Sequence, residues 1–153
     1  TTGQVQSLST STVGGISTTN VKALGAAQVG ALTTAAVAQL STSQVAALTT
    51  KQVAALSTGS VAALSTGQVK ALTSDQVQGL TNAGLNAMTT TQVAALTTDQ
   101  VKALETTDLR AMTLTQLKAL TQEQVSSLST SQWSALSTTA TAELVLNNRR
   151  TYP

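Results

Sequence analysis

Residues 41–56 read STSQVAAL TTKQVAAL, two octapeptides joined without a spacer. Carried in both directions, this register never slips. Residues 1–144 divide into 18 blocks of eight, and Val145–Pro153 stand outside the pattern. Position eight is Leu in 15 blocks, with Ile16, Met88 and Met112 in the others. Position five is Val in 13, replaced by Leu85, Leu109, Leu117, Trp133 and Thr141. Position one is Ser or Thr in 16, position two Thr in 13, position four Gln in 11 and position seven Ala in 12. Positions three and six vary and carry most charges, among them Lys51, Asp75, Asp99 and Glu123 at three and Lys22, Lys70, Lys102, Arg110 and Lys118 at six. Variable charged columns predict solvent; the constant apolar columns predict core.

An eight-residue period rules out one long helix. Eight residues turn about 800°, so each block would be rotated roughly 80° from the last and no apolar stripe would form. A coiled coil needs sevens or elevens. In a continuous strand, positions five and eight would point to opposite faces. A β-solenoid with corners suits Thr and Val but not the recurrent Ala and Gln.

Very short capped helices fit all the columns. Ser/Thr at one and Gln at four make a capping box: the hydroxyl accepts from the N–H three residues on, and the Gln side chain reaches back to the cap. Ten blocks carry both halves. With Ser41 as N-cap, Gln44 is N3, Val45 is N4 and Leu40 is N′, the arrangement of a hydrophobic staple. A helix of this length is unstable alone, so stability must come from stacking block on block. The reading is therefore all-α: a solenoid of 18 mini-helices over 1–144, with Val, Ala and Leu inside, then a non-repeat tail over 145–153. Its hand and its number of blocks per turn are left open.

Composition narrows the function. The chain has no Cys, His or Phe, and only 9% charged residues. The usual zinc, haem and iron–sulfur ligands are thus missing, as are a Cys nucleophile and a His base. Neither an enzyme nor a cofactor is expected. Net charge is +2, and the longest basic run is Arg149-Arg150, too little for a nucleic-acid groove. No apolar stretch approaches the length of a membrane span, and no charged-then-apolar leader opens the chain. Zero Cys leaves the redox compartment unread.

The repeat S/T-T-x-Q-V-x-A-L resembles octapeptide arrays of large secreted or surface-associated bacterial proteins, some of which also carry calcium-binding repeats or adhesin modules. The resemblance spans 1–144 and implies an extracellular or cell-surface structural role. It supplies no catalytic residues. No Gly-Gly-x-Gly-x-Asp signature occurs, so calcium does not carry over.

The expected function is a rod, spacer or fibre subunit, with the chain itself (head-to-tail) or flanking repeats as partner. Candidate assembly contacts are Val5 and Leu8 at one end and Trp133, Leu144, Leu146, Arg149, Arg150 and Tyr152 at the other. The alternative is an adhesin-type module binding a glycan or ice through the Thr column at position two. Trp133 is expected to fill space near the end of the core. A short final helix is expected over Glu143–Leu146, closed by Asn147-Asn148. Gly14, Gly15, Gly25 and Gly30 lower helix propensity in the first four blocks.

Overall fold

The computed structural model describes residues 1–150, except for the side chains of Thr10 and of residues 147–150. Each of the 18 blocks carries one α-helix, from Thr2–Gln6 in the first to Thr138–Arg150 in the last. The first seventeen helices are five or six residues long. Among the described residues there is no strand, so the β-solenoid is set aside.

The local reason is the capping box. In block six the Ser41 hydroxyl accepts from Gln44 N at 3.1 Å, while Gln44 Oε1 accepts from Ser41 N at 2.6 Å. The same pair recurs at Thr49/Gln52, Ser65/Gln68, Thr89/Gln92 and Thr121/Gln124. The cap residues of blocks two to seventeen are extended, with ψ near 160° in most. The chain therefore turns a corner at each cap and starts a new helix.

Each helix from block one to block fifteen packs chiefly on the helix three blocks later. Three blocks, or 24 residues, thus make one turn of the superhelix, and 18 blocks make six turns. The rod has three sides. Blocks 1, 4, 7, 10, 13 and 16 stack along the first side; blocks 2, 5, 8, 11, 14 and 17 form the second; blocks 3, 6, 9, 12, 15 and 18 form the third. Helices stacked about 8–10 Å apart give a rod of roughly 50–60 Å.

Position five and most of position eight fill the axis as one continuous core. Val53 and Val61 are 1% exposed, and Leu85 likewise. Burial of this kind is the main source of stability, and it recurs in every turn of the rod. In the first turn Leu8, Ile16 and Leu24 are only half-buried. The Ala column departs in part from expectation: Ala95 and Ala135 are buried, but Ala47, Ala55, Ala63 and Ala71 are only half-buried. A small side chain here lets stacked backbones approach. Gly30, at position six, shows how close they come: a Cβ on it would lie 2.6 Å from the Ala55 carbonyl oxygen, one turn away.

The last helix also differs from expectation. It is continuous over Thr138–Arg150, so the chain does not stop at Leu144 or cap at Asn147-Asn148. Block eighteen is followed by no Ser/Thr cap, and nothing there redirects the backbone.

Candidate functional site

The recurrent polar feature of the rod is the position-four glutamine, and it does two jobs. Its oxygen closes the capping box. Its nitrogen is buried and donates across turns. Gln52 Nε2 lies 2.9 Å from the Val21 carbonyl oxygen, 2.7 Å from that of Leu24 and 3.4 Å from that of Lys22. Gln92 repeats this on Val61, Leu64 and Ala62 at 2.9, 2.7 and 3.3 Å. Gln44, Gln68, Gln76, Gln100, Gln116, Gln124 and Gln132 do the same. In each case the acceptors are positions five, six and eight of the block four places earlier. These are carbonyls at a helix C-terminus, which no intrahelical donor fully satisfies. One carboxamide therefore caps the start of its own helix and the end of another.

The second side departs from this pattern. Its position-four residues are Thr12, Ala36, Ser60, Gly84 and Asp108, with Gln returning only at Gln132. At Asp108 a carboxylate occupies the amide's place and accepts from Glu105 N at 2.8 Å. Burial pushes its pKa up; the hydrogen bond from Glu105 N opposes this, and the Glu105 carboxylate adds to the rise.

Charge elsewhere is sparse. Lys102 pairs with Asp99 at 3.7 Å and Lys118 with Glu143 at 3.1 Å. Both are exposed pairs of small energetic weight. Glu143 thus replaces the usual Ala of position seven with a link between the last two turns of side three.

The candidate assembly residues fall at the two ends. Val5 is buried and Leu8 half-buried in the first turn; Leu144 is buried in the last. Trp133 packs half-buried on the core. It lines, with Leu136, Val145 and Leu146, an apolar cavity of about 610 Å³. Leu146 is 53% exposed. The structure thus brings Trp133 and Leu146 together and leaves Val5 and Leu8 five turns away. The side chains of Arg149 and Arg150, and all of Tyr152, lie outside the described residues.

Sequence reasoning placed Gln at N3 but missed its second role. The signal was present: Glu closes a capping box as well as Gln does, yet only Gln also has N–H groups to donate.

No described helix is long and apolar enough to cross a membrane. The family model of the ALTTAQ repeat matches five successive stretches: residues 1–34, 30–58, 53–82, 78–106 and 101–138. After the first, these begin at residues 30, 53, 78 and 101, one superhelical turn apart to within a residue. The phrase itself straddles a corner, as in Ala95-Leu96-Thr97-Thr98-Asp99-Gln100. No curated protein matches the chain, and no solved structure does. With these five stretches covering most of its length, the chain belongs to the ALTTAQ repeat family.

Proposed function

We propose that this repeat array is a structural element: a stiff extracellular or cell-surface rod that sets a distance and is extended by further turns of the same kind. One observation carries the reading. Every turn repeats the same helix stacking, and the recurrent polar group, the Gln carboxamide, is consumed in tying turns together. Such nearest-neighbour architecture grows by simple addition.

Extension has a ready chemistry. The amides of Gln4 and Gln28 have no block four places earlier to reach. At the other end, the carbonyls of Leu117 and Leu120 occupy positions that the Gln of a nineteenth block would cap. That block comes from flanking repeats or from a second copy stacked head to tail, a contact that does not close on itself. Trp133 and Leu146 lie at the same end.

Electron microscopy over a range of concentrations tests this. Rods of roughly 50–60 Å that lengthen into uniform filaments support a self-assembling subunit. Rods of constant length at every concentration remove the homopolymer and leave the spacer. Compact or irregular particles remove the rod itself.

A second reading, a module binding a glycan or ice surface, is favoured by one feature. Thr18, Thr42, Thr66 and Thr90 follow one another up side three, all exposed. Inhibition of ice recrystallisation, lost on replacing these four with Lys, would favour it over the rod.

A further inference from the structure

On two of the rod's three edges, the peptide groups at the corners are bonded on both sides. Where side two meets side three, the Leu40 carbonyl accepts from Gln68 Nε2 at 2.7 Å, and the Ser41 N–H donates to Gln44 at 2.6 Å. One turn on, Leu64 and Ser65 are held by Gln92 and Gln68, both at 2.7 Å. Where side three meets side one, Leu48 and Thr49 are held by Gln76 and Gln52, and Leu72 and Thr73 by Gln100 and Gln76. Each carboxamide nitrogen ties its own turn to the turn below.

The edge between side one and side two is different. Its position-four residues in blocks five, eight and eleven are Ala36, Ser60 and Gly84, and none can tie turns together. At Leu32-Thr33, Leu56-Ser57 and Leu80-Thr81, neither the carbonyl nor the N–H meets a hydrogen-bond partner among the described residues. Thr33, Ser57 and Thr81 are exposed, so these corners lie open to water. The bare stretch ends at the next corner. There the Leu104 carbonyl accepts from Gln132 Nε2 at 2.9 Å, and Gln78 Nε2 donates to the Glu105 carboxylate at 3.1 Å across the same edge.

The apolar core does not offset this asymmetry. Val37, Val61 and Leu85 on side two are as fully buried as Val45, Val69 and Val93 on side three. Stacking therefore resists bending alike in every direction, and the cross-turn hydrogen bonds decide. Between blocks five and eleven, opening the bare edge breaks none of them. Opening either other edge breaks the bonds of one buried carboxamide per turn, and such groups are costly to leave unpaired.

We infer that the rod is a directional hinge, bending most readily with the edge between sides one and two on the outside of the curve. Bending the opposite way stretches both tied edges. The inference rests on the stacking of the turns and not on what the rod is used for.

Spin labels on paired cysteines, in a chain with no cysteine of its own, test this through distance distributions measured in frozen solution. Ala35→Cys/Ala83→Cys spans two turns beside the bare edge. Ser43→Cys/Thr91→Cys and Lys51→Cys/Asp99→Cys span two turns beside the tied ones, and all six positions are exposed. The expected result is a broader distribution for the first pair, tailing to longer distance. Gln92→Ala, which unties one step beside the second pair, should broaden that pair's distribution toward the first. Equal widths at the three edges, or a tied edge broader than the bare one, overturn the inference. A folded Gln92→Ala chain with the second pair unchanged does so too. If that variant does not fold, the comparison of the three pairs decides alone.

Discussion

Gln52 Nε2 donates to the Val21 carbonyl oxygen at 2.9 Å across 31 residues of chain. That one bond defines the architecture. It joins the start of one helix to the end of another four blocks earlier, and so holds consecutive turns in register. It is buried, where a hydrogen bond is costly to leave unmade.

Removing a glutamine should therefore cost more than a cap. Gln92→Ala strands the Leu64 carbonyl and the Thr89 N–H, and leaves the Val61 carbonyl only its bond from Leu64 N. A loss of about 1–3 kcal/mol is expected from buried groups left unsatisfied. Gln92→Glu keeps the capping box but points a carboxylate at those carbonyls, and should lose more at neutral pH. Denaturant midpoints of the two variants measure the order; a Glu variant as stable as the parent would remove the cross-turn role.

The core assignment gives a sharper contrast. Val53→Asp places an unpaired charge at a residue 1% exposed. A loss above about 4 kcal/mol, with local unfolding of the array, is expected. Two residues away, Lys51→Glu at an exposed position should shift stability by no more than about 0.5 kcal/mol. Melting curves of both variants check the inside-outside assignment.

Asp108 makes the seam on side two pH-dependent. Its folded pKa is raised, chiefly by burial. The ionised form is thus disfavoured in the fold, and this group's contribution to stability is fully present only below the ordinary value of 3.8. It is lost as pH rises through the raised folded value. Asp108→Gln removes the titration and supplies an amide for the carbonyls of Val77 and Leu80. The variant should be more stable than the parent at neutral pH, with the difference shrinking as pH falls toward 3.8. Parallel melting curves across that range read the difference directly.

Much of this fold is legible in eight residues. Ser41, Gln44, Val45 and Leu48 specify cap, box and core, and all four do what the spacing predicts. Solvent exposure of Lys51 and Lys70 followed from the variability of their columns. The Ala column misled, because Ala is favoured both in cores and where backbones merely pass closely. The three-block turn was harder to read, since identical blocks carry no label for which side they occupy. Five of the seven position-four exceptions do carry one; Asn20 and Ala140 lie on side three. Thr12, Ala36, Ser60, Gly84 and Asp108 recur every 24 residues, the period of the turn. The long last helix was missed because Val145 and Leu146 simply continue a helix when no new cap interrupts it. At the ends, Trp133 and Leu146 are brought together around a cavity to which block periodicity gives no clue.

The central claim is that residues 24 to 25 apart are neighbours on one side of the rod. A Cβ on Gly59 would lie 3.2 Å from Thr34 Cγ2, and one on Gly67 3.9 Å from Thr42 Cγ2. The chain has no cysteine of its own, so disulfide trapping is clean. Thr34→Cys/Gly59→Cys and Thr42→Cys/Gly67→Cys should each cross-link on mild oxidation, since the Thr Cγ2 in each pair, one bond beyond its own Cβ, already touches the position of the opposing Cβ, within reach of a disulfide. Thr34→Cys/Gly67→Cys, one block out of register, should stay reduced. Cross-linking of the offset pair as readily as the other two, or of none of the three, would contradict the three-block turn.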